Sequence, residues 1–110
     1  MTPYEIDGQS FDTDEDGYLL EANYSDDAVR VIAAADGIEL TEAHWQIVNY
    51  LRETYREEGQ TPNFRHMLKA VQDLGLVADS KALYDLFPMG PAKQGVKIAG
   101  LPKPFGKGGY

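Results

Sequence analysis

Cysteine is absent from the 110-residue sequence. These residues therefore cannot form disulfides, iron–sulfur clusters or thiolate zinc sites. They also lack the thiolate that acts as nucleophile in persulfide and disulfide exchange. Histidine is nearly as scarce, with only His44 and His66, and two histidines without a third ligand at matching spacing are too few for a zinc site. The sequence predicts no metal and no cofactor, with His44 packed in a helix beside Trp45 and His66 at the surface.

Long hydrophobic runs are also absent. No apolar stretch approaches the ~20 residues that span a bilayer, and the start of the chain, Met-Thr-Pro-Tyr-Glu-Ile-Asp, has no basic or apolar region of a signal peptide. We therefore expect a cytoplasmic protein with no membrane contact. The length corresponds to one domain with one modest core, and we expect a monomer.

Basic residues are few in the first half of the chain. Residues 1–60 contain fifteen acidic and three basic residues, whereas residues 61–110 contain three acidic and seven basic residues. The net charge is −8 and the pI is near 4.5. An acidic body with a basic tail favours docking of the tail on its own body or on an acidic partner. It does not favour nonspecific binding to a phosphate backbone.

The first 20 residues predict short strands. Asp7-Gly8 separates two apolar-containing triplets, 4–6 and 9–11, and this dipeptide is typical of a tight β-hairpin. A third strand is predicted at 18–20. Between them, Asp12-x-Asp14-x-Asp16-Gly17 resembles the first half of a calcium-binding loop. The closing Glu position is occupied by Asn23 and no helix precedes the loop, so we interpret it as an acidic turn.

Four amphipathic helices are predicted next, at about 26–36, 42–58, 62–74 and 81–87. Each follows a capping residue and ends near Gly or Pro. The predicted caps are Ser25, Thr41, Thr61 (with Pro62 at the first helical position) and Ser80. The aromatic residues of the second helix have helical spacing, which favours core packing over a binding surface; they are Trp45, Tyr50 and Tyr55.

Residues 86–110 hold six of the eleven glycines, four of the six prolines and four lysines, with no acidic residue. Because Pro lacks a donor and Gly is costly to order, we expect neither a helix nor a central strand there. The sequence thus predicts an α+β fold that is mainly helical. An N-terminal β-hairpin or meander packs on a four-helix body (residues 1–88), and a flexible, extended C-terminal arm (residues 89–110) follows.

The arm is not uniformly polar. Ile98, Leu101 and Phe105 interrupt it at spacings of three and four residues, which a purely solvated tail does not need. We predict that these side chains dock in a groove on the body or enter a cleft on a partner. Three lysines are expected to steer the approach: Lys93, Lys97 and Lys103.

Several segments together resemble the DsrC/TusE family of sulfur-relay proteins, also called the gamma subunit of dissimilatory sulfite reductase. The C-terminal signature is Leu83-Tyr84-x-Leu86-Phe87-Pro88-x-Gly90-Pro91-Ala92-Lys93-Gln94, followed by Lys97-Ile98-Ala99-Gly100-Leu101-Pro102-Lys103-Pro104. Upstream matches are Asp14-x-x-Gly17-Tyr18-Leu19, Leu40-Thr-Glu-x-His-Trp45 and Leu51-Arg52. The resemblance implies partners of the TusBCD/DsrEFH sulfurtransferase type or the dissimilatory sulfite reductase.

The chain departs from this family at its cysteines. The resemblance places the sulfur-carrying cysteine at Lys107 and the second cysteine of the DsrC type at Val96. Neither side chain can replace a thiolate. We therefore predict a non-catalytic protein of sulfur metabolism, not an enzyme, that binds such partners in a regulatory or accessory role without carrying sulfur. The alternative is a sulfur carrier, a sulfurtransferase of a tRNA thiolation relay, like the cysteine-bearing relatives.

A DNA-binding regulator is the alternative from another class. The helices predicted at 42–58 and 62–74 are joined by a short Gly-containing turn and resemble a helix-turn-helix. The second helix carries groups suited to phosphates and base edges, namely Asn63, Arg65, His66 and Lys69. Against this stand the low pI and the acidic pair Glu57-Glu58 beside the turn.

Overall fold

The computed structural model describes residues 3–103, which form a two-stranded antiparallel sheet and five helices. The strands and helices are β1 (Tyr4–Ile6), β2 (Gln9–Phe11), α1 (Asp26–Ala35), α2 (Glu42–Glu58), α3 (Phe64–Asp73), α4 (Ser80–Leu86) and α5 (Pro91–Ile98). This arrangement confirms the α+β class and its helical majority. Within residues 3–103, no helix combines the length and apolar character that a membrane span requires.

The predicted hairpin is confirmed. Asp7 and Gly8 both have positive φ, 52° and 80°, which the tight turn between paired strands requires. Tyr4 pairs with Phe11 and Ile6 with Gln9. Only Ile6 of the two strands is fully buried, so this single side chain is the main apolar anchor of the hairpin.

The predicted third strand is wrong, because residues 18–20 form only an isolated bridge between Thr13 and Leu19. The Asp14 carboxylate accepts hydrogen bonds from the backbone N–H groups of Asp16 and Tyr18, at 2.9 and 3.0 Å. These bonds close residues 14–18 into a tight acidic turn, and a side-chain carboxylate thereby takes donors that a strand would have used.

The four predicted helices are present, with two corrected starts. Ser25 caps α1 as predicted, accepting from Ala28 N at 3.1 Å. Helix α3 begins after Asn63, whose side chain accepts from His66 N at 2.9 Å, and not after Thr61. Helix α4 is likewise capped by Asp79 instead of Ser80. In both cases the helix begins after the residue whose side chain accepts a hydrogen bond from a free backbone N–H of the first turn.

The expectation that residues after 88 form no helix is wrong for α5, Pro91–Ile98. Pro91 occupies the first turn, where its missing N–H costs nothing. Gly95 allows close packing, because a Cβ there would lie 3.3 Å from Met67 Cε and 3.4 Å from Leu51 Cδ1. The Pro and Gly of this segment therefore start a helix and let it approach its neighbours.

Helix α5 is the central element of the core. It contacts each of the other four helices, and its Val96 and Ile98 side chains are fully buried. Phe87 before it and Leu101 after it are also fully buried. Residues 91–101 thus complete the core of the body instead of extending away from it. A separate arm remains a prediction for residues 104–110, which lie outside the described residues.

Candidate functional site

The C-terminal segment that carries the signature is anchored to the body at several points. At the end of α5, the Arg52 guanidinium donates to Ala99 O at 3.3 Å and to Ser25 O at 2.7 Å. It also pairs with Asp26 at 3.1 Å. Arg52 is only 7% exposed, so this fork of donors ties the end of α5 to the start of α1 through a largely buried cation.

A second anchor lies at Gly100. Its carbonyl accepts from Asn23 N at 2.8 Å, and its φ is +80°. A Cβ at this position would overlap with the backbone oxygen of Asn23. Only glycine combines this conformation with this close approach, and the bond directs Leu101 into the core.

A third anchor is the ion pair between Lys97 and Asp36, at 2.9 Å, with side chains that are 14% and 11% exposed. Asp36 also accepts from the Gln94 amide at 3.2 Å. The Gln94 oxygen in turn accepts from Met89 N at 3.0 Å. One carboxylate at the end of α1 therefore fixes two turns of α5 and, through Gln94, the loop that precedes them.

A fourth anchor is the exposed ion pair between Lys103 and Asp16 of the acidic turn. The hydrogen bond to Asp16, followed by the charges of Asp16, Asp14 and Glu15, raises the pKa of Lys103. The last described residue is therefore held beside the most acidic turn of the body.

Tyr18 closes the same turn over α5. Its hydroxyl donates to Lys93 O at 3.1 Å. Burial, and then the nearby charges of Asp16, Asp14 and Asp36, raise the pKa of Tyr18 to about 12. Burial, and then the charge of Asp36, also raises the pKa of Tyr4. Both phenols therefore stay protonated far above neutral pH, and Tyr18 serves as a donor.

Four of the six predicted partner-binding residues contact the body instead of forming a free arm. Ile98 and Leu101 are fully buried in the body, Lys97 pairs with Asp36 and Lys103 with Asp16. Lys93 is exposed. Of the two positions assigned to the missing cysteines, Val96 is fully buried on α5. Phe105 and Lys107 lie outside the described residues.

An exposed groove lies at the junction of α4 and α5, and the sequence analysis missed it. This junction groove has a volume of about 360 Å³ and is lined by Phe64, Tyr84, Pro88, Met89, Gly90, Pro91, Ala92 and Lys93. The rings of Phe64 and Tyr84 lie 5.5 Å apart. The available signal was Tyr84, a matched residue of the signature, and the neighbouring apolar Met89, which the signature leaves unspecified.

Three of the four predicted DNA-binding residues line a second groove, of about 620 Å³, between α2 and α3. Asn63, His66 and Lys69 line it together with the carboxylates of Glu58 and Asp73. Arg65 is exposed. Because Asn63 already caps α3 and two carboxylates would repel a phosphate backbone, DNA binding through these residues stays a prediction.

His44 is a buried residue that links two helices. Its Nδ1 accepts from Thr41 N at 3.0 Å, and its Nε2 lies 2.9 Å from Leu86 O. The ring also contacts Phe87 edge-on. The prediction of a packed His44 is thereby confirmed. Within residues 3–103, no three His, Asp or Glu side chains come together as a metal site.

This fold and its C-terminal core helix define a known class of small α+β proteins. The NMR structure of Allochromatium vinosum DsrC has a TM-score of 0.83 with this chain and 46% identity, covering 96% of each chain. The oxidized gamma-subunit of the dissimilatory sulfite reductase (DsrC) from Archaeoglobus fulgidus also gives 0.83, at 34% identity, covering 94% of this chain and 97% of that one. The family of DsrC like proteins matches residues 5–106.

The chain therefore belongs to the DsrC family, as the signature predicted. A curated relative from Haemophilus influenzae, named sulfurtransferase TusE homolog, is 46% identical over 102 residues, covering 90% of this chain and 94% of the relative.

The comparisons correct the predicted function. The curated relatives carry the name sulfurtransferase TusE. The prediction of a regulatory or accessory protein that takes no part in sulfur transfer is therefore wrong, and so is the prediction that the chain is not an enzyme. Both were drawn from the missing cysteine alone. The alternative, a sulfur-relay function like that of the relatives, fits these findings better.

Proposed function

We propose that this protein is a sulfurtransferase of the TusE kind that acts in a sulfur relay. The observation that supports it is the 46% identity to a sulfurtransferase TusE homolog over 90% of the chain. The anchors of the C-terminal segment support the same proposal, because they fix the part of the chain that carries the family signature. Its partners would be a persulfide-bearing sulfurtransferase of the TusBCD/DsrEFH type or the dissimilatory sulfite reductase.

The chemistry sets a clear requirement. In persulfide transfer, an acceptor thiolate attacks the terminal sulfur of the donor persulfide, a new S–S bond forms, and the donor leaves as a thiolate. One sulfur atom passes from the donor to the acceptor, and no net oxidation occurs. Because the 110 residues contain no cysteine, an experiment on this protein must locate the transferred sulfur as well as measure its transfer.

The test reconstitutes the relay with a donor protein carrying ³⁵S-persulfide and a downstream thiol acceptor. We expect label to reach the acceptor faster when this protein is present, and intact-mass spectrometry of each component shows where the sulfur resides. The Lys107→Cys variant is the matched control, since it supplies a thiol at the position that the family signature assigns. Transfer with this variant but none with the natural chain would refute the proposed function.

A further inference from the structure

We propose that the junction groove is a docking site for an acidic segment of a partner protein, which inserts a large apolar side chain between Tyr84 and Met89. The inference names a partner surface for the proposed sulfur-transfer step and rests on that function. Neither the family match nor the relatives' names assign a role to this groove.

The first argument is the exposure of apolar surface. Among residues 3–103, four large hydrophobic side chains are exposed: Leu20, Leu74, Tyr84 and Met89, at 59%, 52%, 46% and 71%. Two of the four line the junction groove, where Phe64 and two prolines extend the apolar surface. Apolar side chains that cluster in a concave site, unlike single exposed ones, mark interaction surfaces.

The second argument is that the groove is already formed. Ala92 and Pro91 on its floor are buried in α5. Met89 N donates to Gln94, whose amide is held by Asp36. The loop between α4 and α5 is thus fixed through a chain of hydrogen bonds to α1, and little conformational entropy is lost when a ligand occupies the groove.

The third argument is the charge around the groove. Lys93 lines it, Arg65 follows Phe64 directly and is exposed, and Lys81 on α4 has an 86% exposed side chain. Helix α4 also carries two carboxylates, Asp79 at its N-cap and Asp85 at 3.9 Å from Lys81. The charged side chain within the groove lining is that of Lys93, so the complementary ligand places a carboxylate beside its apolar side chain.

The same charges decide between possible occupants. Residues 104–110 contain Lys107 and no acidic side chain, so they supply no side-chain carboxylate to the groove. A second copy of the chain could offer its acidic N-terminal half, and the experiment separates this case from a partner protein.

The experiment measures binding of a fluorescein-labelled short peptide, with Phe-Leu at its centre and Asp or Glu at the flanking positions, by fluorescence anisotropy. We expect saturable binding that weakens as salt is raised, because flanking charges contribute to it. Tyr84→Ser and Met89→Ser should each weaken binding about tenfold, as expected for residues at the centre of an interface. Lys93→Gln should weaken it less.

Leu74→Ser is the matched control, since Leu74 is also an exposed hydrophobic residue of similar accessibility but lies outside the groove. Circular dichroism verifies that each variant is folded. No binding of the peptide, or equal weakening by Leu74→Ser and Met89→Ser, would overturn the proposal. A dimer in sedimentation that Met89→Ser dissociates would overturn it in favour of a second copy. The assay involves no sulfur, so its failure is distinct from a failure of sulfur transfer.

Discussion

At the scale of single residues, Gly100 shows how closely the C-terminal segment depends on one side chain being absent. Its positive φ and the bond from Asn23 N to its carbonyl place the two backbones in direct contact. Gly75 has nearly the same φ, +78°, but a Cβ there would meet no atom within 4 Å. Comparing Gly75 with Gly100 therefore separates the free-energy cost of a positive φ from the cost of a steric clash with Asn23.

We therefore expect Gly75→Ala to lower the free energy of unfolding by about 1–2 kcal/mol, the cost of a left-handed conformation for a residue with a Cβ. Gly100→Ala should cost roughly 3 kcal/mol or more, because backbone displacement at Asn23 adds to the same strain. Urea unfolding followed by circular dichroism measures both. Equal losses in the two variants would show that the contact with Asn23 does not constrain the segment.

Residues of this kind were only partly predictable. The family signature identified Gly100 and Arg52 as residues of interest, since both fall within the matched segments. Their partners were not predictable, because Asn23 and Ser25 lie far from them in sequence and only the tertiary fold brings them together. The caps at Asn63 and Asp79 were missed for a local reason: an equally good capping residue lies one or two positions away in each case.

At the scale of elements, α5 depends on α1 for its orientation. Asp36, the C-cap of α1, binds Lys97 and Gln94 on successive turns of α5. Removing the carboxylate alone would leave a largely buried ammonium without a partner, which costs more than the pair itself contributes.

We expect Asp36→Ala to destabilise the protein by about 3 kcal/mol. Lys97→Met should cost less, because its methylene groups are replaced and Asp36 keeps its bond from Gln94. The double variant should be more stable than the sum of the two losses predicts, by about 1–3 kcal/mol, as for directly interacting residues. Urea unfolding of the four proteins gives this coupling energy, and strictly additive losses would refute the role assigned to the pair.

Helix α5 is also the element that sequence reasoning missed. Periodicity and caps predicted α1 to α4 because their polar faces are exposed and their ends carry standard signals. Helix α5 has only eight residues, and six of them are buried: Pro91, Ala92, Gln94, Gly95, Val96 and Ile98. Its Pro and Gly content then favoured an irregular segment. A helix of about two turns that begins with Pro and contains Gly is difficult to detect from one sequence, because both residues lower its helix propensity.

At the scale of the whole molecule, stability at alkaline pH depends on tyrosines whose pKa values are raised, first by burial and then by nearby carboxylates. Tyr18 keeps its proton up to a pKa of about 12 in the folded protein, whereas an unfolded chain releases it near pH 10. Between these values the unfolded state binds fewer protons than the folded state. Stability is therefore fully present below about pH 10 and falls as the pH rises towards 12.

We expect Tyr18→Phe to reduce this alkaline loss. At neutral pH the variant should be less stable by about 1 kcal/mol, because the bond to Lys93 O is lost. The free energy of unfolding, measured in urea at several pH values from about 7 to 11.5, should thus decline less steeply above pH 10 than in the natural protein. A residual slope is expected from Tyr4 and Tyr50, whose pKa values are also raised. An unchanged slope would contradict the assignment to Tyr18.

The function of the whole molecule was harder to predict than its fold. The ordered matches along the chain identified the family correctly. The activity was predicted wrongly, because that prediction depended on the missing cysteine alone. The absence of one side chain excludes a particular chemical step at that position. It does not remove a binding surface such as the junction groove, because many residues form that surface. Tyr84 and Met89 received no role from the sequence, because exposure of an apolar side chain becomes evident only after packing.

The burial of Val96 has a further consequence for reactivity. Dissolved electrophiles and oxidants cannot reach position 96 while α5 remains in place, whichever amino acid occupies it. Reaction of a nucleophile placed there would require a local opening of α5, so its rate would follow the frequency of that opening more than the intrinsic nucleophilicity of the side chain. The reaction rate of a nucleophile introduced at position 96 would therefore be governed by a conformational equilibrium.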